Sequence, residues 1–408
     1  MPIPTTRVEL GFDGNGPGPF FVLDDPVAGV LDNTSYVLAG PYFQDVSEYV
    51  INIRTNRGKS RALDRYQAGQ VGIDFNNRNR YFDPTFTASP FYGQIVPRRD
   101  VRIYANNLEV FYGTIDDWDL VYSPSGDSIA SLSAYDGFAF LSQQTLAAAT
   151  NTVQLSGARI NAVLDDPGVN WPVAQRAIDT GVETLQADVV EAGTNALQYM
   201  QTVETSEPGE LFIAKSGNLT FLDRSSVAPS SAAPVLADDG TGINYSSVRV
   251  VYGSELLFTQ TELTRVGSSY LAQGNDLTSQ EVYGIRTLTS DNLLHNSDAA
   301  LQTLANYLVN EYSRPEYRFE AVEVILSQVS TVNQNLLLGL ELGSVCKVIF
   351  TPNGIAPAIT EFAKIISISH ASDGIEHRMV LGLGTLNTDV FVLDDAAFGI
   401  LDAGRLSF

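Results

Sequence analysis

Ser297-Asp298-Ala299-Ala300-Leu301-Gln302-Thr303-Leu304-Ala305-Asn306-Tyr307-Leu308-Val309-Asn310-Glu311-Tyr312-Ser313-Arg314-Pro315 is the stretch on which the fold reading turns. Ser297-Asp298 can cap a helix whose apolar stripe is Leu301, Leu304, Ala305, Leu308 and Tyr312, and Arg314-Pro315 stops it. Beyond the stop come Arg318 to Leu326, Gly343 to Phe350, Phe362 to Ser369 and Ile375 to Leu383, β-rich runs bounded by turn residues. The last third thus reads as one helix leaning on the closing half of a β-barrel. Nothing in it has the pattern of a reaction centre.

The rest of the chain constrains function by composition. Hydrophobic residues make up 44% of 408, enough to bury sizeable cores in several domains. Acidic residues number 47 against 24 basic ones, a formal charge of −23. Binding a phosphate backbone or an anionic membrane needs clustered cations, so both are disfavoured. Cys346 stands alone, which excludes an intrachain disulfide and a multi-cysteine metal site, and its apolar setting predicts a small buried hydrophobe. No apolar run is long enough for a membrane helix and the N-terminus lacks a signal-peptide pattern, so synthesis in the cytosol is expected.

The two ends carry the same motif. Phe21-Val22-Leu23-Asp24-Asp25-Pro26-Val27-Ala28-Gly29-Val30-Leu31-Asp32 returns as Phe391-Val392-Leu393-Asp394-Asp395-Ala396-Ala397-Phe398-Gly399-Ile400-Leu401-Asp402. Two short apolar strands around an Asp-rich turn, with Gly29 and Gly399 relaxing the backbone, suit equivalent docking sites on a partner or on successive subunits. The acidic spacing does not match an EF-hand calcium loop. Residues 1–40, with Gly14-Asn15-Gly16-Pro17-Gly18-Pro19, and residues 389–408 are read as arms.

Between the arms, alternating runs divide the chain. Residues 41–140 read as a first β-barrel-like domain, with strands at Val46 to Arg54, Gln70 to Phe75, Val101 to Tyr104, Glu109 to Leu120 and Ser128 to Tyr135. Residues 141–240 read as a small α+β domain with helices near Ser156 to Leu164 and Thr194 to Val203, a hairpin turning at Ser216-Gly217, and a linker from Ser225. Residues 241–388 form the second β-barrel-like domain around the opening helix. The fold class is mainly β with an α+β insert. Arg57, Lys59, Arg61, Arg65, Arg78, Arg80, Arg98 and Arg99 form a basic stripe. In so acidic a chain they are expected to pair with carboxylates of this subunit or a neighbour.

These residues carry a resemblance. Glu281-Val282-Tyr283-Gly284-Ile285-Arg286-Thr287, the helix, Pro315, Leu340 to Val348 and Ile365 to His370 resemble, in order and spacing, the second barrel of tailed-phage baseplate hub proteins. The segments Arg57 to Asp64, Ala68-Gly69, Asn77 to Pro84, Ser89-Pro90 and Ile95 to Arg99 are similar to minor tail proteins of long-tailed phages infecting actinobacteria. The resemblance implies a virion protein at the tail tip: a homotrimeric hub, each chain giving two related barrels, in contact with distal tail, tape measure and other minor tail proteins. Its acidic balance would then line a lumen that repels passing DNA.

Other residues offer alternative chemistries. A two-residue turn at Asp373-Gly374 would set His370 opposite His377, a pair able to touch a metal; without a third ligand an exposed hairpin tip is expected instead. No cofactor is expected, since nucleophile, zincin, P-loop and dinucleotide motifs are missing from the sequence. Asp116, Asp117 and Asp119 around Trp118 are the best candidates for a cell-wall hydrolase, but period-two patterning predicts a solvated acidic face with Trp118 turned inward. A receptor- or carbohydrate-binding protein using Phe91-Tyr92 and Phe111-Tyr112 is the remaining alternative.

Overall fold

Strict alternation builds the central strands. Val71, Ile73 and Phe75 are buried while Gln70 and Gly72 face out, and Ala130, Leu132 and Ala134 repeat the pattern on the strand beside them. The computed structural model describes residues 2–12, 26, 29–30, 42–124, 126–228 and 232–386. Of the repeated terminal motifs it describes only Pro26, Gly29 and Val30; Phe21, Leu23, Asp24, Asp25, Leu31, Asp32, Phe391, Leu393, Asp394, Asp395, Gly399, Leu401 and Asp402 lie outside the described residues.

The chain is mainly β, and among the described residues thirteen strands join one sheet. Its first seven are β1 (Thr6–Phe12), β2 (Tyr42–Asp45), β3 (Val50–Gly58), β4 (Gln67–Asn76), β5 (Asp100–Ala105), β6 (Leu108–Val121) and β7 (Ile129–Tyr135). The hydrogen-bonded order runs Ser247–Tyr252, Tyr317–Ile325, His377–Thr385, Ile359–Ser372, then β3, β4, β7, β6, β5, β1 and β2. Val345–Phe350 pairs with the first part of Ile359–Ser372, and Val235–Ala237 lies parallel to Val345–Phe350. Only Val46 and Ser47–Tyr49 separate β2 from β3, so the sheet must turn back on itself there, since each residue spans at most ~3.5 Å.

Two expectations change. The residues of β1, read as part of an arm, are core: Val8, Leu10 and Phe12 are buried and β1 pairs with both β2 and β5. The two β regions, read as separate lobes, share a ladder in which β3 pairs with the second part of Ile359–Ser372, from Gly58 opposite Ser367 to Ile53 opposite Ser372. One apolar cluster accordingly runs through both regions and the insert.

The opening helix forms as read, at Asp298–Tyr312, with the Ser297 side chain accepting from the Ala300 N–H. It does not lean on the strands that follow it. It covers a small sheet of its own, in which Gln260–Arg265 lies between Ala272–Asn275 and Thr287–Leu293, and Leu263, Ala272, Leu293, Leu301, Leu304 and Ala305 make a separate core. In the insert, helix Ser156–Leu164 begins at Ser156 itself with Leu155 in the cap position, so the Ser156 hydroxyl does not cap the helix and donates to the Glu207 carboxylate. Helix Ala196–Ser206 is capped by Asn195, which accepts from the Gln198 N–H. Helix Thr331–Gly339, which the periodicity did not reveal, buries Gln334, Leu337 and Leu338.

Candidate functional site

The feature that most needs explanation is the buried charge where the first β region, the insert and the last third meet. Arg57 on β3 forms an ion pair with Glu341 and donates to the Ile213 carbonyl at 3.1 Å. The other oxygen of Glu341 accepts from the Lys215 N–H at 2.8 Å. The Lys215 ammonium reaches the carbonyls of Leu338 and Leu340 at 2.7 and 2.9 Å, satisfying the end of helix Thr331–Gly339. Three segments distant in sequence are thus held by one carboxylate and two cations.

A second cluster lies beside it. Glu210, at the start of strand Glu210–Ile213, accepts from Lys59 at 2.8 Å and pairs through its other oxygen with Lys364 of Ile359–Ser372. Burial alone would raise the Glu210 carboxyl, but Lys364 and Lys59 outweigh it and hold it at about 2. Lys59 also sits 4.6 Å from the centroid of the Tyr66 ring. Glu204 lacks such cover: burial raises it to about 7, one oxygen accepting from the Leu211 N–H. Buried ion pairs add little net stability over apolar packing but penalise any arrangement that separates them. Their effect here is to fix the register of the joined halves.

The expected pairing of the basic stripe is observed for five of its residues: Arg57 with Glu341, Lys59 with Glu210, Arg61 with Glu255, Arg78 with Asp127, and Arg80 with Asp83. Arg65 reaches the Thr205 hydroxyl at 3.5 Å, Arg99 has partners of its own, and Arg98 is exposed. The acceptors were missed in the sequence. Their signal is a lone charge inside an apolar run, as in Glu210-Leu211-Phe212-Ile213 and Ala363-Lys364-Ile365-Ile366.

His370 and His377 meet, though not as expected. The turn takes four residues, with Asp373 accepting from the N–H groups of Ile375 and Glu376, so Ser372 lies opposite His377 and His370 opposite Met379. A shift of two residues preserves the face, and the rings touch diagonally, Nδ1 of His370 lying 3.1 Å from Nε2 of His377. Far from forming an exposed tip, both are buried, and burial lowers both imidazoles, His377 to about 4. Among the described residues no group of three or more His, Cys, Asp or Glu could hold a metal.

The hydrolase candidates are surface residues. A bulge between Ile115 and Asp117 interrupts the alternation of β6, so Asp116 and Asp117 both face solvent, as does Asp119, while Trp118 packs on Phe75 and Phe82 at 5.9 and 5.8 Å. Of the aromatic pairs, Phe91 and Phe111 are core, and Tyr92 and Tyr112 reach the surface in different degrees.

No protein-family model matches the sequence, and no curated protein matches it. The fold does have solved counterparts. The 43 kDa tail protein of prophage MuSo2 from Shewanella oneidensis superimposes with a TM-score of 0.58 at 14% identity, covering 93% of this chain and 98% of that one. A tail protein from Neisseria meningitidis MC58 does so with a TM-score of 0.58 at 14% identity, covering 84% and 94%. Across most of its length, the chain has the fold of these two tail proteins.

Proposed function

We propose that this chain is a structural, non-enzymatic subunit of a phage tail, acting at the tip as a baseplate hub. The observation that carries the reading is the end-to-end likeness to the prophage MuSo2 tail protein. A rigid joint suits the role: buried ion pairs lock β3 to Ile359–Ser372 and to the insert, as a connector between tube and tip requires.

The finer reading is a homotrimer whose subunits each offer two barrel-like halves, with contacts to distal tail, tape measure and other minor tail proteins. With five of the stripe's cations engaged in ion pairs, the surplus of carboxylates is left unneutralised, which favours passage of DNA without adhesion. The repeated motifs at 21–32 and 391–402 serve as docking sites on neighbours.

Electron cryomicroscopy of assembled particles tests the placement, and light scattering of the purified 44.2 kDa chain tests the trimer. The reading predicts density for this chain at the tail tip. A chain absent from the particle, or located in the head, defeats it. A version ending at Leu386 should keep its fold and lose incorporation if the motifs dock.

A further inference from the structure

A cleft of about 390 Å³ opens between β5, β6 and the insert, and the tail role makes no use of it. Its size lies at the lower end of the range for small-ligand sites, roughly 300–1,000 Å³. Four aromatic residues line it: Tyr112 of β6, Tyr135 of β7, Trp171, and Phe140, whose ring lies 6.2 Å from that of Trp171 and is 42% exposed. The Tyr112 hydroxyl donates to Asp100 at 3.0 Å, and the turn at Gly217 presses on the Tyr112 ring, so that wall is held in place.

Arg98 and Asp116 supply the polar groups. Arg98 holds a left-handed backbone, φ 69°, that a long side chain adopts at a cost, and it does so beside the cleft. The strain is sustained by backbone bonds on both sides: the Arg98 N–H donates to the Ile115 carbonyl at 2.8 Å and the Ile115 N–H to the Arg99 carbonyl at 2.7 Å. The Arg98 guanidinium has no ion-pair or hydrogen-bond partner among the described residues, although five members of the same stripe do.

We propose that this cleft binds a neutral oligosaccharide, with a sugar ring stacked on Phe140 and its hydroxyls on Arg98 and Asp116. Aromatic faces receive the C–H surface of a sugar, and a guanidinium beside carboxylates can donate to and accept from adjacent hydroxyls. With Asp100 and Asp116 against the single charge of Arg98, a polyanion is repelled. Asp136, the buried carboxyl in its wall, is committed as a cap, its oxygens accepting from the N–H groups of Gly69 at 2.7 Å and Phe138 at 3.0 Å.

The protein has two tryptophans, and Trp171 lines the cleft while Trp118 packs on Phe75 and Phe82 away from it, so tryptophan fluorescence reports occupancy. Chitotriose, maltotriose, cellotriose and mannotriose are the probes, with calorimetry as the second readout. At least one should give saturable binding, weakened about tenfold or more in both Phe140→Ala and Arg98→Asn, a change of about 1.4 kcal/mol. Asn is chosen because it tolerates the left-handed backbone, and unchanged melting temperatures show that both variants fold. No saturable binding of any probe up to about 10 mM, well beyond millimolar affinity, overturns the proposal, as does binding that either folded variant leaves intact. Neither result bears on the particle test, so the tail role stands or falls separately.

Discussion

Gly58 lies so close to Ile366 that a Cβ at position 58 would overlap the Ile366 carbonyl oxygen, and its φ of +123° is open to glycine alone at low cost. The contact sits where β3 ends and the bulge of Ile359–Ser372 begins, with the Lys59 N–H donating to that same carbonyl at 2.9 Å. The join between the halves of the sheet depends on this close approach. Gly58→Ala should destabilise by about 2–4 kcal/mol, the sum of backbone strain and overlap. Gly72→Ala, where nothing lies within 4 Å, should change stability by at most about 1 kcal/mol. Urea unfolding of the two variants makes the comparison.

Removing the charge of Glu210 should do more harm than removing most apolar side chains. Glu210→Gln leaves Lys59 without its carboxylate in a buried site and Lys364 in a partly buried one. A loss of about 3–5 kcal/mol is expected, the range for stranding one partner of a buried pair. Its pH signature is separate. Because the folded carboxyl titrates at about 2, below its ordinary value, the contribution of Glu210 is complete above the ordinary carboxylate range and fades as pH falls toward 2. The variant should lose that acid-side slope in calorimetric melts.

Between pH 4.5 and 6.5, buried groups pull in opposite directions. Burial lowers His295 and His377 to about 4 and lowers His370 as well, so an unfolded chain takes up protons that the native one refuses, and stability rises with pH across this window. Burial raises Glu204 and Asp136 to about 7, so the native chain holds protons that the unfolded one releases, and their contribution falls as pH rises. Glu204→Gln removes one opposing group. Urea midpoints measured across the window should therefore climb more steeply in that variant than in the parent, and an unchanged or shallower climb counts against this assignment.

The small sheet under helix Asp298–Tyr312 has its own core, so it should yield separately. Ser297→Ala removes the side-chain bond to the Ala300 N–H and should cost about 1 kcal/mol. Hydrogen exchange should then rise between Gln260 and Tyr312 with little change in β3, β4 and β7.

Cys346 is fully buried on Val345–Phe350, and burial pushes its thiol up to about 12. A thiol reagent at neutral pH should label it only at the rate of unfolding. Prompt labelling of the native chain would contradict the packing.

Period-two alternation located the long strands because a half-buried strand must alternate, and the cap, stripe and proline stop located helix Asp298–Tyr312 because those signals are local. Charge balance likewise announced that the basic stripe would be neutralised. The sequence alone therefore determined the mainly β class. Tertiary structure decided the rest: that β1 belongs to the sheet, that β3 and Ile359–Ser372 share a ladder, that the opening helix covers its own small sheet, and that His370 meets His377 diagonally inside the protein. Strand neighbours far apart in sequence are chosen by which faces and charges fit once the chain has collapsed, and no local pattern encodes that choice. The same holds for Glu210 and Glu341, whose partners arrive from segments more than a hundred residues away.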